Sequence, residues 1–422
     1  MRILYCHNYY RHRGGEDVSF ESDVKLLRRR GHEVITYTKD NQHLGSNHLS
    51  NATRTVWNRQ AASEVEELIR RTKPHLMHCN NLFPQISTSI YKPARAHQVP
   101  IVQALRNYRS FCANSFFYRA GKVCTKCLHS LAAWNGISKR CYRNDRLATS
   151  VLVASQGFNR VLRIQDRYVD AFITPTQFSK SIHCEGGFDS DRIHVRPNFI
   201  LPDPGFQPDK LPYFVVVGRL SLEKGVRDVI HAWRNLNTDC IVKIIGGGPE
   251  SSELKELAGS MRNVEFLGEL APDDLIREVA SAQALLMPSR WFETFGRTMG
   301  EAFACGTPVL ASRLGAMEEM VTEHVNGMFF EAGNPRSIAE TVKRFMNLTA
   351  DERAEMSHAA RHSYVTRMSA AESYDCLLSI YRLVGMKCNK YREPWYQQID
   401  MEWNRSTNIA ASNRGSTAIG TT

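Results

Sequence analysis

Two glutamates, Glu293 and Glu301, stand eight residues apart in a segment rich in glycine and aromatic residues. Gly296 predicts a sharp entry into a helix, and Gly306 predicts its end. Glu293 would then project from the loop and Glu301 from the helix, toward the same cleft. The first amides of that helix, near Phe295 and Gly296, are suited to hold an anion. The alternative is a surface helix that carries two solvated acids.

Four cysteines, Cys112, Cys124, Cys127 and Cys141, have the spacing C-x11-C-x2-C-x13-C. C-x2-C supplies a chelating pair, and the two flanking thiolates complete a tetrahedral set. We expect a zinc ion first and an iron–sulfur cluster second. The role is expected to be structural, because four thiolates leave no open position for catalysis. Unrelated free or redox-active thiols are the other interpretation.

The basic residues are unevenly distributed along the chain. Residues 1–211 hold 31 Lys and Arg against 17 Asp and Glu, a balance of +14, whereas residues 212–422 hold 23 against 26, a balance of −3. Residues 106–146 alone hold nine Lys and Arg and one acid, interleaved with aromatic residues. This composition suits an anionic lipid surface or a lipid-linked diphosphate acceptor. A nucleic-acid-binding zinc module and a solvated loop stiffened by metal are the alternatives.

Length and composition bound the architecture that must position these residues. The chain has 422 residues, of which 42% are hydrophobic and 23% charged, so we expect two globular domains. No apolar run approaches the length of a membrane span, and the first residues lack the apolar stretch of a secretory signal. We therefore expect a cytoplasmic protein with reduced cysteines.

Strands and helices alternate along both halves, which predicts parallel βαβ units in open sheets. Helices are expected at Ala62–Arg71 and over about Ser363–Val384, and the proline-rich Pro197–Gly205 is expected to link the halves. The predicted strands are Arg2–Cys6, Val34–Thr38, His75–Cys79, Pro100–Leu105, Ala171–Pro175, Ile193–Val195, Tyr213–Val217, Cys240–Ile245, Val264–Leu267, Ala284–Met287 and Pro308–Ala311.

The expected domain organisation follows from this alternation. An N-terminal Rossmann-like domain covers residues 1–200, with the basic cysteine-rich segment 106–146 as an insertion. A C-terminal Rossmann-like domain covers 201–365. Residues 366–387 form a C-terminal helix that crosses back to the first domain, and 388–422 form a polar, disordered tail, in which Trp395 and Trp403 are candidates for a lipid or partner contact.

The glutamate segment resembles the E-x7-E signature of the retaining glycosyltransferase family 4. This resemblance covers nearly all of residues 1–385 and implies the GT-B fold, an α/β architecture of two Rossmann-like domains whose parallel sheets face each other across a cleft. A subgroup of these transferases is similar in its Asn-Tyr-Arg-x-x-Cys and Cys-x-x-Cys pattern. The other stretches that resemble family motifs are Arg13–Glu16, Gly31–Val34, Val217–Gly225, Gly246–Glu250 and Phe266–Gly268.

The resemblance implies roles for the donor side. Arg219 and Lys224 would neutralise a nucleotide diphosphate, so that no catalytic metal is expected. Glu301 would accept hydrogen bonds from the ribose hydroxyls, and Glu293 would contact the donor sugar. The remaining donor-side residues implied by the matching motifs are Gly247, Gly248, Leu267, Phe295 and Gly296.

The resemblance also implies roles for the N-terminal half. Gly14 and Gly15 would let backbone amides approach the phosphate or the acceptor. His78 and Asn80 are candidates for the acceptor side, with a packed strand-end histidine as the alternative. Arg106 stands where the family commonly has a histidine that contacts the donor sugar, so either the donor differs, with an acidic group as one case, or this role has moved.

The sequence therefore predicts a retaining glycosyltransferase. Its expected partners are a nucleotide-sugar donor, a lipid-linked or glycan acceptor and the inner face of the cell membrane, to which it would bind peripherally, and no nucleic acid is expected. The expected pathways build polysaccharide, O-antigen or glycolipid. A zinc-containing nucleic-acid-binding protein and a catalytically weakened nucleotide-sugar binder are the alternative functions.

Overall fold

A computed structural model describes residues 1–11, 13–41, 48–236 and 239–388, without the side chains of residues 48–50 and 388. The chain divides into two compact units. Among the described residues, the first comprises Met1–Ala104, Leu162–Ile173 and Tyr374–Cys388, and the second comprises Leu105–Val161 and Thr174–Ser373. The proline-rich segment 197–205 was expected to link the two halves of the chain. In this division it lies inside the second unit.

Strands and helices alternate over most of the described chain. The strands are β1 (Arg2–Tyr9), β2 (Glu33–Asp40), β3 (Leu76–Cys79), β4 (Ile101–Ala104), β5 (Tyr118–Arg119), β6 (Lys122–Val123), β7 (Ala171–Thr174), β8 (Ile193–Val195), β9 (Leu211–Val217), β10 (Ile241–Ile245), β11 (Val264–Gly268), β12 (Ala282–Met287), β13 (Val309–Ser312) and β14 (Gly327–Phe330).

The helices vary from five to 19 residues in length. They are α1 (Gly15–Arg29), α2 (His48–Val56), α3 (Arg59–Thr72), α4 (Tyr91–Ala96), α5 (Trp134–Ser138), α6 (Arg146–Val161), α7 (Ile164–Tyr168), α8 (Gln177–Glu185), α9 (Val226–Leu236), α10 (Ser251–Ala258), α11 (Pro272–Ser281), α12 (Arg297–Ala304), α13 (Ala316–Met320), α14 (Pro335–Met346), α15 (Ala350–Arg367) and α16 (Ala370–Cys388). Short 3-10 turns cover Thr88–Ile90, Ser190–Arg192 and Leu222–Lys224.

The first unit is built on parallel strands in the order β2-β1-β3-β4-β7. In register, Cys6 of β1 lies opposite Cys79 of β3, and Met77 of β3 lies opposite Ile101 of β4. All residues of β3 and β4 are buried. Continuous burial is typical of a parallel sheet that has helices on both faces, which confirms the Rossmann-like fold expected for this part of the chain.

The second unit contains a parallel sheet with the order β11-β10-β9-β12-β13-β14. Two separate apolar clusters flank the sheet, one around Trp233 and the other around Phe303, and each takes alternate residues of the same strands. In β9, for example, Phe214 belongs to the first cluster and Val215 to the second. This doubly covered sheet is the second Rossmann-like domain that was predicted.

The sequence analysis placed the cysteine-rich segment in the N-terminal domain. In the structure it groups with the second unit. It contains the antiparallel hairpin β5-β6. Its aromatic residues form a small core of their own, in which Tyr108, Phe111 and Phe117 pack with Ile182 of α8. A Cβ on Gly186 would lie 2.2 Å from the Phe111 ring, so this packing is close. Burial of these rings explains why the segment follows α8 into the second unit.

The single C-terminal helix predicted over 363–384 is wrong, because α15 ends at Arg367 and α16 begins at Ala370. The hydroxyl of Ser369 accepts the backbone N–H of Glu372 at 3.3 Å and so caps the new helix. The described residues Tyr374–Cys388 group with the first unit, where the Tyr374 hydroxyl lies 2.7 Å from Nε2 of His32.

The predicted polar tail, with Trp395 and Trp403, lies outside the described residues apart from its first residue. In the part of the chain that the structure describes, none of the helices combines the length and apolar character that crossing a membrane requires.

Candidate active site

Two loops of the second unit, which follow β9 and β10, approach each other through their backbones. The N–H of Leu220 donates to the carbonyl of Gly247 at 2.9 Å. Gly246 has a φ of +132°, and a Cβ there would lie 2.0 Å from the carbonyl oxygen of Gly218. A Cβ on Gly248 would lie 2.3 Å from the carbonyl oxygen of Leu220. The predicted glycine turn is therefore imposed by the close contact of these two loops.

The loop after β9 is also fixed against the loop after β12. Gly225 has a φ of +69°, and a Cβ there would lie 2.1 Å from the carbonyl oxygen of Pro288. The N–H of Arg290 donates to the carbonyl of Glu223 at 2.8 Å. The Arg290 guanidinium forms a two-pronged ion pair with the buried carboxylate of Asp228. Contacts on both sides thus hold the short turn that carries Lys224.

Glu293 is 5% exposed, and three side chains converge on one of its oxygens. Its Oε1 accepts hydrogen bonds from Nζ of Lys224 at 2.6 Å, Oγ of Ser289 at 2.8 Å and Nε1 of Trp291 at 2.9 Å. Within the described residues, no donor bonds to Oε2. The carboxylate is thus oriented through one oxygen while the other stays available to an incoming group.

Sequence reasoning found Glu293 and Lys224 but missed Ser289 and Trp291. Both residues precede Glu293 in a loop, at spacings of four and two residues, which carry no regular pattern. Their role comes from side-chain direction, which residue spacing in a loop does not encode.

The two predicted cations have different surroundings. Lys224 is paired with Glu293, and its side chain is 25% exposed. Arg219 is exposed, and in the described part of the chain neither a hydrogen bond nor an ion pair engages its guanidinium. Arg219 is therefore a cation at the end of a parallel strand that can meet an anion without first breaking a bond.

The helix entry predicted at Gly296 is observed, since Gly296 is the N-cap of α12 with a φ of +74°. The Phe295 side chain is buried in the core, so only its backbone can face a ligand. Glu301 lies on α12, and its Oε1 accepts from Nε of Arg297 at 3.0 Å. Burial raises the pKa of Glu301, and the charge of Arg297 partly offsets this rise. Glu301 is thus a mostly buried acid and not a solvated one.

Leu267 lies in β11, one strand away from the glycine turn, and is partly buried against the core. Its neighbour Gly268 accepts the backbone N–H of Gly246 at 2.7 Å. The strand end that was predicted to flank a base is therefore joined directly to the predicted glycine turn.

Arg106 is attached to the loop that carries Glu293. Its carbonyl accepts the hydroxyl of Thr294 at 3.1 Å, and its guanidinium donates to Oδ1 of Asn198. The carbonyl of Thr294 in turn accepts the hydroxyl of Thr176 at 2.9 Å. These contacts join Arg106 to Thr294, the residue next to Glu293, and the catalytic role of Arg106 stays a prediction.

In the first unit, a buried network organises the loop before α1. Oδ2 of Asp17 accepts the N–H of Gly14 at 2.8 Å, and its Oδ1 lies 2.8 Å from Nε2 of His7. Nδ2 of Asn80 lies 3.3 Å from Nδ1 of His7. Because the Asn80 amide nitrogen can only donate, Nδ1 of His7 accepts and its Nε2–H donates to Asp17. A Cβ on Gly15 would meet no atom within 4 Å.

His78 is fully buried in the first unit. Its ring stacks on Tyr5 with centroids 4.3 Å apart, and its Nδ1 lies 2.6 Å from the hydroxyl of Tyr381. These contacts match the packed strand-end histidine that was the alternative interpretation, and the acceptor role of His78 stays a prediction. Asn80 is also buried, and its amide nitrogen donates to the carbonyl of Glu16 in the first turn of α1 at 3.1 Å.

The four cysteines of the insertion are free thiols that influence one another. Burial raises the pKa of Cys112 to about 11, with smaller contributions from Cys127 and Cys141. Burial also raises the pKa of Cys127, with Cys124 and Cys141 adding to it. Among the described residues, no three His, Cys, Asp or Glu side chains are arranged to hold a metal ion. The zinc site and the iron–sulfur cluster stay predictions from spacing.

Comparison with known families covers both units. The family model for glycosyl transferases group 1 matches residues 201–363, and the model for Glycosyltransferase Family 4 matches residues 14–203. A glycosyltransferase from Rickettsia africae has a TM-score of 0.66 at 16% identity, with 91% of this chain and 98% of that chain covered. The chain is a glycosyltransferase with the GT-B fold. Neither family model identifies the four-cysteine subgroup, which stays a prediction.

Two further proteins are similar to this chain. An uncharacterized 42.6 kDa protein in the cps region of Klebsiella pneumoniae is 26% identical over 362 residues, with 76% of this chain and 88% of the relative covered. The Anabaena protein HepE in complex with UDP-glucose has a TM-score of 0.62 at 16% identity, with 93% of this chain and all of that chain covered. At this identity the structural matches establish the fold alone.

Proposed function

We propose that this glycosyltransferase transfers a sugar, with retention of anomeric configuration, from a nucleotide-diphosphate donor to a lipid-linked or polysaccharide acceptor at the cytoplasmic face of the membrane. The observation that carries this proposal is the arrangement at Glu293, whose Oε1 is held by three donors while Oε2 has no donor in the described structure. Such a carboxylate is preorganised to contact a sugar hydroxyl.

A nucleotide sugar as donor is supported by charge and by fold. Arg219 is an unpaired cation within the described chain. Lys224 lies in the same loop, six residues after Gly218. Two fixed cations can stabilise the negative charge that develops on a departing diphosphate, without a catalytic metal. The neighbour from Anabaena, which shares the fold, was solved with UDP-glucose.

The proposed step balances without a dedicated protein base. The bond between the anomeric carbon and the diphosphate oxygen breaks, and the acceptor hydroxyl forms a new bond to the same face of that carbon. The acceptor proton passes to the leaving diphosphate oxygen. Arg219 and Lys224 would stabilise the leaving group, Glu293 would orient the donor sugar, and Glu301 would hold the ribose hydroxyls.

The acceptor is assigned to the first unit on two grounds. Gly15, at the start of α1, leaves open space where any side chain would intrude, and Asp17 holds the preceding turn in place. Residues 1–104, which form most of this unit, also hold 15 Lys and Arg against nine Asp and Glu, a balance of +6. A polyanionic or diphosphate-linked acceptor at an acidic membrane surface fits this charge.

The donor is tested by thermal shift and turnover with a panel of UDP-, GDP- and ADP-sugars. We expect one base and one sugar to raise the melting temperature and to be consumed, and the product to keep the anomeric configuration in its NMR spectrum. Inversion would contradict the mechanism. Binding without turnover would indicate a weakened nucleotide-sugar binder, and Arg106→His would then be the first variant to test for a gain of turnover. Binding of nucleic acid in place of any donor would overturn the assignment.

A further inference from the structure

Three large apolar side chains are exposed in the 17 residues 131–147, which include the end of the cysteine-rich insertion and the start of α6. Leu131 is 63% exposed, Trp134 is 61% exposed and Leu147 is 71% exposed. A glycosyltransferase needs none of them for the donor chemistry described above. Exposed apolar side chains that occur together, and not singly, indicate a surface that another apolar phase covers.

This exposure is confined to one side of the segment, because its other side is well packed. Ala132 and Ala133, between the exposed residues, are buried. A Cβ on Gly136 of α5 would lie 3.1 Å from Cβ of Ala113 and 3.7 Å from Cγ2 of Thr149. Helix α5 thus packs through this inner side against the start of α6, where Leu147 lies.

Helix α6 shows the same division along its length. Its buried residues, Thr149, Leu152, Val153 and Gln156, cover one face. Residues 147, 151, 154 and 161 are Leu, Val, Ala and Val, and at 100° per residue they fall on the opposite face. Leu147 and Val161 are 71% and 65% exposed, so this opposite face is apolar at both ends and open to solvent.

Exposed cations follow Trp134 and precede Leu147 along the chain. Lys139, Arg140, Arg143 and Arg146 are all exposed and lie between α5 and the first residue of α6. Asp145 is the one acid of residues 106–146, and its Oδ1 accepts the N–H of Ala148 as a helix cap. An apolar surface bordered by Lys and Arg matches the composition of helices that lie in the headgroup region of anionic membranes.

We infer that this surface, which we call the lipid face, docks the glycosyltransferase on an anionic lipid bilayer. Leu131, Trp134 and Leu147 enter the headgroup and acyl boundary, and the four cations contact lipid phosphates. A protein partner without a matching acidic surface would leave the four cations unpaired. A nucleic acid would leave the exposed apolar side chains uncovered. The inference deepens the proposed function by naming the surface that meets the membrane, and it can fail while donor turnover persists.

The test is flotation of the full chain with vesicles of phosphatidylcholine, with and without phosphatidylglycerol. We expect binding only with phosphatidylglycerol, and a decrease as salt screens the headgroups. The variant Arg140→Gln/Arg143→Gln/Arg146→Gln should lower the partition coefficient on the order of 100-fold. The variant Leu131→Ser/Trp134→Ser/Leu147→Ser should lower it at least about 10-fold.

Matched controls change the same residue types elsewhere in the second unit. Leu211→Ser/Val325→Ser/Val365→Ser removes three exposed apolar side chains, and Lys255→Gln/Arg262→Gln/Lys343→Gln removes three exposed cations. Both should float like the wild type. All variants should keep donor turnover measured without vesicles, which separates this inference from the proposed function and confirms folding.

Three results would overturn the inference. The first is equal flotation of the lipid-face variants and the wild type, and the second is no binding of the wild type to anionic vesicles. The third is a sedimentation mass that rises with protein concentration in the wild type and stays monomeric in the Leu131→Ser/Trp134→Ser/Leu147→Ser variant, because the face would then join two copies of the chain.

Discussion

Glycine follows a parallel strand in both units, but for opposite physical reasons. In the second unit, Gly246 and Gly248 are required because carbonyl oxygens lie within 2.3 Å of where a Cβ would stand. In the first unit, Gly15 has no atom within 4 Å of a Cβ. The first kind of glycine is demanded by the fold, whereas the second leaves a space that the fold does not fill. The same residue type therefore marks structure in one unit and a candidate ligand position in the other.

The largest expected effect is on the glycine that the fold requires. Gly246→Ala combines a φ of +132° with a backbone oxygen at 2.0 Å, and the backbone cannot yield as a flexible side chain would. We expect a loss of more than about 3 kcal/mol of stability, measured by urea unfolding. Gly268→Ala is the control, because its φ is +69° but no atom lies within 4 Å, so it should cost only about 1 kcal/mol. Equal losses would show that backbone conformation alone decides.

Acid should affect the two units alike, in contrast to glycine substitution. Burial lowers the pKa of His32 in the first unit and of His183 in the second to about 4. As the pH falls below the ordinary value of 6.5, the unfolded chain binds a proton that the folded chain does not, so stability is lost between pH 6.5 and about pH 4. Each histidine should account for about 2 kcal/mol between pH 7 and pH 5.

The measurement is the difference in the free energy of unfolding between pH 7 and pH 5. His32→Gln and His183→Gln should each flatten this dependence, whatever they cost at pH 7. An unchanged slope in either variant would show that the histidine is protonated in the folded state and that burial does not keep it neutral.

Gly15→Ala should change stability least and in the opposite direction from Gly246→Ala. Gly15 is the first residue of α1. Alanine there should leave the free energy of unfolding unchanged or raise it by at most about 1 kcal/mol, and the melting temperature should change in the same direction. Turnover with the identified donor and acceptor should nevertheless fall about 10-fold or more, because the methyl group enters the open space. A lower melting temperature, or full turnover, would remove the contrast between the two glycines.

Much of the fold could be predicted because buried parallel strands consist of continuous runs of apolar residues. All 11 predicted strands are observed, several of them longer at their ends, such as β1, which continues to Tyr9. Strands β5, β6 and β14 were missed, because β5 and β6 have two residues each and β14 has four that begin with glycine, so they give little signal. The break before α16 depends on one serine cap, which an otherwise helical pattern conceals.

The site was predicted less completely, for reasons that lie in three dimensions. Glu293, Lys224 and the helix entry at Gly296 have characteristic spacing, and the structure joins the first two at 2.6 Å. Ser289 and Trp291 contribute through side-chain direction. Asp17, by contrast, is the N3 residue of the capping box at the start of α1, a local signal three residues after Gly14. The grouping of the insertion with the second unit depends on aromatic packing between distant segments, which one sequence does not reveal.

The central claim is that Lys224 and Glu293 form the donor site of a glycosyltransferase. Its most direct test is the turnover of the identified nucleotide sugar by Lys224→Ala, with Lys255→Ala as an exposed control in the same unit. Removing one charge-stabilising donor should lower kcat on the order of 100-fold or more in Lys224→Ala. This variant should also have a lower melting temperature, because the buried carboxylate of Glu293 loses its ion-pair partner, whereas Lys255→Ala should stay fully active. Wild-type turnover by a folded Lys224→Ala would contradict the claim.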